Sequence, residues 1–299
     1  MPPEESVVLV DGPWSHRSVT AGGLRFRVAE TGPVDGPLVL LLHGFPEFWW
    51  SWRSQLVALG AAGFHAVAPD LRGYGASDKP PRGYDLYTLA ADVEGLVRAL
   101  GARDAHVVGH DWGGMLGWST ATLHPRVVRT LSVLSIPHPL RMRAGLRSRR
   151  QARASAYVAG FQVPRVPEGR LREGDLVGEL LHRWGGPGFP DAETEARCRE
   201  AMAVPAVAHC ALEYYRWAVR SQARPEGRRF AEAMRAGVQA PVLQLHGALD
   251  GCILPETVLG SGAWAHGGYE LRVLAGVGHF PHQEVPTTVT AALLERLRA

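Results

Sequence analysis

The hexapeptide Gly109-His110-Asp111-Trp112-Gly113-Gly114 constrains this chain more than any other stretch. It follows the apolar run Ala105-His106-Val107-Val108, which reads as a short buried strand. Residues 115–124 after it read as a helix stopped by Pro125. A strand that passes into a helix through Gly-X-acid-X-Gly-Gly predicts a tight elbow, with the central side chain thrust above a sheet edge. Small residues at 109, 113 and 114 let strand and helix approach closely. Serine is the usual nucleophile of such a turn, and Asp111 stands in its place. A carboxylate attacking an sp3 carbon leaves an alkyl ester, which water can hydrolyse. A serine attacking the same carbon would leave an inert ether. The elbow therefore points to displacement at carbon rather than acyl transfer.

Strand and helix signals alternate on both sides of the elbow. Strands are expected at 7–10, 14–19, 24–29, 38–42 and 65–68, then at 128–134, 242–246 and 271–274. Helices are expected at 52–62, 88–100 and 285–297. The uninterrupted apolar run at 38–42 marks a strand buried on both faces. This order predicts an α/β fold with a mostly parallel, doubly wound sheet. Between 137 and 222 Arg, Ala, Pro and Gly dominate and no buried strand run occurs. That stretch reads as a helical lid, inserted into a core of residues 1–136 and 223–299 and placed over the edge where open α/β sheets bind ligands.

Composition narrows the class. With 46% hydrophobic and 20% charged residues the chain fits a soluble globular enzyme, not a disordered chain. Its arginines are scattered, which argues against a nucleic-acid partner. The exception is Arg141, Arg143, Arg147, Arg149, Arg150 and Arg153, read as a solvated face, with a contact for acidic lipid or a carboxylate-bearing substrate as the sharper reading. Three cysteines without paired spacing argue against disulfides or a zinc site and for a cytoplasmic setting. Residues 1–5 show no leader pattern, and no apolar run approaches a membrane span. There is no Gly-X-Gly-X-X-Gly, so no cofactor is expected. His279 and His282 are three apart without a third ligand near in sequence, so no metal is expected either.

Asp250 and His279 each lie just past a predicted strand, and the order Asp111, Asp250, His279 is nucleophile, acid, histidine. His279 is the expected general base, with Asp250 holding its tautomer. Taken alone, Asp111 could be a helix N-cap and Asp250 a turn residue. Together with the segments 43–47, 49–53, 70–78, 247–252 and 278–280, these residues make the chain resemble an epoxide hydrolase of the α/β-hydrolase fold. The resemblance runs from about residue 38 to 290 and implies a small-molecule epoxide and water as reactants. It implies that two lid tyrosines, Tyr157 and Tyr215, donate to the epoxide oxygen, and that the backbone N–H groups of Phe45 and Trp112 form an oxyanion hole. It also implies a frequent cis bond before Pro46. Ala156 departs from the family's usual aromatic, and Tyr214 from its usual Trp. Haloalkane or haloacid dehalogenases share the carboxylate nucleophile, but they tend to carry Asn where Phe45 stands or Arg where Trp112 stands. A catalytically idle ligand receptor on the same fold is the rival of a different class. Oligomeric state stays open.

Overall fold

The apolar runs of the chain pair into one eight-stranded sheet in the computed structural model, which describes residues 4–298. The strands are β1 (Ser15–Ala21), β2 (Leu24–Thr31), β3 (Leu38–Leu42), β4 (His65–Pro69), β5 (Ala105–His110), β6 (Val128–Leu134), β7 (Val242–Gly247) and β8 (Tyr269–Leu274), in the order β1-β2-β4-β3-β5-β6-β7-β8. β2 is antiparallel to β1 and β4, and every pair from β4 to β8 is parallel. All residues of β3, β4, β5 and β7 are buried, as a parallel sheet covered on both faces requires, while β8 at the edge is half-exposed.

Helices α1 (Arg53–Ala61), α2 (Leu86–Ala99) and α3 (Trp112–Leu123) precede a long helical insertion. Between β6 and β7 the chain forms α4 (Pro139–Gly145), α5 (Arg149–Ala154), α6 (Tyr157–Gly160), α7 (Val166–Arg172), α8 (Leu176–Trp184), α9 (Ala192–Ala203), α10 (Val207–Arg220) and α11 (Pro225–Ala233), with no strand. After β7 come α12 (Pro255–Val258), α13 (Pro281–Glu284) and the closing α14 (Pro286–Arg298). Among the described residues no helix is long and apolar enough to cross a membrane.

Several boundaries differ from the sequence reading. Residues 7–10 form no strand: Glu5–Val8 is a short 3-10 turn, buried Val8 offering its carbonyl to the Trp49 indole N–H at 2.7 Å. Met1–Pro3, part of the stretch read as lacking a leader, lies outside the described residues. α2 starts at Leu86, two residues early, because the Asp85 side chain caps it by accepting the Thr88 N–H at 2.9 Å. α3 starts at Trp112, so Gly113 and Gly114 are helical. Glycine is required at 113 because a Cβ there would lie 2.1 Å from the Leu42 carbonyl oxygen.

Candidate active site

Because β3, β5, β7 and β8 are parallel neighbours or near neighbours, their carboxyl ends lie along one sheet edge. That edge gathers Phe45, Asp111, Asp250 and His279 from four distant stretches of chain. Asp111 has φ 48° and ψ −116°, a strained conformation for a residue with a side chain. Its carboxylate makes no capping bond to α3, so capping does not explain it. Instead Oδ1 accepts the Phe45 N–H at 3.0 Å, and Oδ2 lies 3.6 Å from His279 Nε2. The Phe45–Pro46 peptide is cis. Trp112, the first residue of α3, makes no bond to the Asp111 carboxylate among the described residues. Its N–H is one of the four that a helix start leaves unpaired.

His279 Nδ1 donates to Asp250 Oδ2 at 2.8 Å, and Asp250 Oδ1 accepts the N–H groups of Cys252 and Ile253 at 2.8 and 2.9 Å. These bonds fix the imidazole with Nε2 toward Asp111. Burial works against charge on His279, but the Asp250 carboxylate, joined by Asp111, outweighs it and raises the imidazole to about 10. Burial likewise opposes charge on Asp250, and His279 holds that carboxyl below its usual range nonetheless. The arrangement thus favours the charged form of His279.

A cavity of about 470 Å3 opens onto Asp111, within the usual size of a small-molecule site. Tyr215 on α10 and Tyr157 on α6 both line it. The Tyr215 ring packs edge-on against Phe45 and Trp112, with centroids 5.3 and 5.0 Å apart. Its hydroxyl is buried and has no hydrogen-bond partner. The Tyr157 hydroxyl instead lies 3.4 Å from Cys252 Sγ. The neighbour Tyr214 turns away and donates to the Arg72 carbonyl at 2.8 Å. Buried Arg216 donates to the carbonyls of Phe161 and Val163 and pairs with Glu168, tying the chain after α6 to α10. Trp49, Trp50 and Trp52 are buried in the core, apart from the cavity wall.

Residues 37–286 match the family model for the alpha/beta hydrolase fold. Epoxide hydrolase A of Mycobacterium tuberculosis is 32% identical to this chain, covering 95% of it and 97% of that relative. The chain belongs to the α/β-hydrolase fold family, among the epoxide hydrolases. The crystal structure of epoxide hydrolase A from Mycobacterium thermoresistibile superposes with a TM-score of 0.79 at 32% identity, over 96% of this chain and 98% of that one. An AB hydrolase superfamily protein of Bacillus subtilis, YfhM, is 39% identical over 66% of this chain and 71% of its own length.

One part of this hydrolase site escaped the sequence reading. Glu47, His110 and His282 meet in a fully buried cluster behind His279, their donor atoms within 4.8 Å of one another. His282 was expected to have no third ligand near it, and the fold corrects that by bringing Glu47 from the loop after β3 and His110 from the end of β5. Among the described residues this is the one group able to hold a metal ion. Its carboxylate is already engaged, however. His110 Nδ1 lies 2.8 Å from Glu47 Oε2, and Gln283 Nε2 donates to Oε1 at 2.6 Å. Burial opposes the Glu47 charge, yet His282 and His110 hold its carboxyl well below the usual range. The other nitrogen of His110 donates to the His279 carbonyl at 2.7 Å, so the cluster supports the loop that carries His279. The available signal was Glu47 directly after His43-Gly44-Phe45-Pro46.

Proposed function

We propose that this protein converts small-molecule epoxides and water to vicinal diols through a covalent ester on Asp111, beneath a lid formed by residues 137–222. Asp111 Oδ2 attacks an epoxide carbon and the carbon–oxygen bond breaks. Oδ1 stays on the Phe45 amide and becomes the ester carbonyl. Tyr215, with Tyr157, donates a proton to the developing alkoxide. Loss of the Asp111 charge removes one of the two carboxylates that hold the proton on His279. The imidazole then yields its proton toward the phenolate and becomes a base. Nε2 takes a proton from water, and the hydroxide adds to the ester carbon. The oxyanion forms on Oδ1 at the Phe45 amide, aided by the N–H of Trp112. Collapse releases the diol and restores the carboxylate and imidazolium.

The observation that carries this reading is the unpartnered Tyr215 hydroxyl in the same cavity as Asp111. A halide leaves as a stable anion, whereas an alkoxide is a strong base and needs such a donor. The three buried, unpaired cysteines support a reducing, cytoplasmic setting. The test is diol release from styrene oxide, together with intact mass spectrometry of His279→Gln. That variant is expected to retain an adduct of substrate mass on Asp111. Normal turnover by the variant, or no adduct despite substrate binding, overturns the scheme.

A further inference from the structure

His279 faces Asp111 from a loop whose backbone is tied down on both sides. The His279 N–H donates to the Trp184 carbonyl at 2.9 Å, and its carbonyl accepts from His110. The flanking N–H groups, of Gly278 and Phe280, both donate to the carboxylate of Glu284, at 2.7 and 2.9 Å. The oxygen that takes Gly278 also accepts the Gly186 N–H at 3.0 Å. Glu284 is the last residue of α13, and no cation pairs with it among the described residues.

Gly186 belongs to the strap 185–191, which joins α8 to α9 in the insertion. The strap lies directly on the His279 loop. A Cβ at Gly278 would collide with the backbone of Gly185 and Gly186, and the Phe189 ring stacks on Phe280 with centroids 4.9 Å apart. Just before the strap, the Arg183 carbonyl oxygen would lie 2.6 Å from a Cβ at Gly251, beside Asp250. This part of the insertion therefore seats on the loops of both Asp250 and His279. The imidazole itself has one hydrogen bond, from Nδ1 to Asp250, while Nε2 has none and stands 3.6 Å from Asp111. A ring pinned at one edge keeps its aim only while its backbone keeps its place. A carboxylate accepts on both oxygens, whereas an amide there would turn an N–H toward one of the three donors.

We infer that Glu284 is a positioning residue for the hydrolytic half-reaction: its carboxylate clamps the backbone on both sides of His279 to the strap of the insertion and so aims Nε2 at the ester. The inference rests on the epoxide-hydrolysing reading above and extends it to a residue outside the cavity lining. Glu284 acts through His279 alone, so alkylation of Asp111 does not use it.

The test is Glu284→Gln with styrene oxide. A misplacement of about 1 Å can cost about 100-fold in rate, so hydrolysis of the adduct should slow about 10-fold to 100-fold. Alkylation should keep its rate. The adduct on Asp111 should then accumulate in rapidly quenched samples read by intact mass, and kcat and KM should fall together with kcat/KM unchanged. Glu284→Asp, which keeps the charge and shortens the reach, should show the same split. A role in stability alone would lower kcat and kcat/KM alike, with KM unchanged and no adduct. That result overturns the inference, as does hydrolysis at the wild-type rate. If neither variant folds, Glu284 serves the fold as a whole and the inference falls. Amide hydrogen exchange gives a readout independent of turnover. The N–H groups of Gly186, Gly278 and Phe280 should exchange faster in Glu284→Gln, while those of Cys252 and Ile253, which bind Asp250, should not. Unchanged exchange at the first three overturns the clamp whatever the chemistry. Faster exchange there, with no epoxide turned over by the wild type, would overturn the reaction and leave the clamp standing.

Discussion

On the sheet edge, each polar group of the candidate site is held by bonds from rigid elements. Asp250 accepts from His279 and from two backbone amides, and the Phe45 amide fixes one oxygen of Asp111. Across the cavity the inserted helices hold Tyr215 by packing alone, its ring between Phe45 and Trp112 and its hydroxyl unpaired. The difference teaches a division of labour. Charge is placed where strands and backbone amides prevent it from moving. The insertion contributes apolar shape and one buried hydroxyl without a hydrogen-bond partner.

The comparison breaks first at Asp111. Asp111→Asn keeps the side-chain volume and the Phe45 contact but removes the nucleophile, so turnover is expected to fall about 10^4-fold or more. The assay is diol formation by protein whose mass still shows the amide, since slow return to the acid restores activity. Undiminished turnover by such protein would move the chemistry away from the sheet edge.

The insertion should matter less, and unevenly. Tyr215→Phe is expected to slow adduct formation by about 10-fold to 100-fold. The double change with Tyr157→Phe should approach about 10^3-fold, the loss typical of donors at a developing oxyanion. Tyr157→Phe alone should cost least, because that hydroxyl rests against Cys252 Sγ rather than facing the cavity unpaired. Rapid-mixing rates on a His279→Gln background isolate this step. Unchanged alkylation in the double variant removes the tyrosines from the mechanism and favours dehalogenation.

These two regions also differed in how far the sequence disclosed them. Asp111, Asp250 and His279 were legible because each lies in a short Gly-framed motif at a strand end, and parallel strands leave few ways to assemble them. The buried runs at 38–42, 65–68 and 128–134 were legible for the same reason: local periodicity and tertiary burial agree. The Glu47–His110–His282 cluster was not, since its members come from three elements and no spacing links them. Residue type alone does not separate Tyr214 from Tyr215; the family resemblance of the triplet Tyr214-Tyr215-Arg216 pointed to Tyr215. Their hydroxyls part only because α10 directs one to the Arg72 carbonyl and the other into the cavity.

The coupling between His279 and the two carboxylates offers a finer test. With the folded value of His279 near 10 and its ordinary value 6.5, the charged imidazole stabilises the fold fully below pH 6.5. That contribution is lost as pH rises through 10. The difference in melting temperature between wild type and His279→Gln should therefore shrink from neutral to alkaline pH. NMR titration of the imidazole should give a midpoint near 10 in the wild type and a distinctly lower one in Asp111→Asn, where one carboxylate is gone. Identical midpoints would show that Asp111 does not hold the proton on His279, and the handover of base function after alkylation would fail with it.

The smallest expected effect sharpens the contrast in packing. At Gly113 an added Cβ would meet the Leu42 oxygen at 2.1 Å and the His43 oxygen at 2.6 Å, both backbone atoms at the end of β3 and the start of the loop that carries Phe45. Neither can rotate away, so Gly113→Ala must push α3 off the sheet and is expected to destabilise by about 3 kcal/mol. At Gly169, inside α7 of the insertion, nothing lies within 4 Å of an added Cβ. There alanine meets no neighbour and lowers the entropy of the unfolded chain, so Gly169→Ala should stabilise by about 0.4–1 kcal/mol. Denaturant melts of the two variants measure both signs. If Gly169→Ala destabilised as much as Gly113→Ala, α7 would be packed as tightly at this position as the elbow is at Gly113, and the open space around Gly169 would not be real.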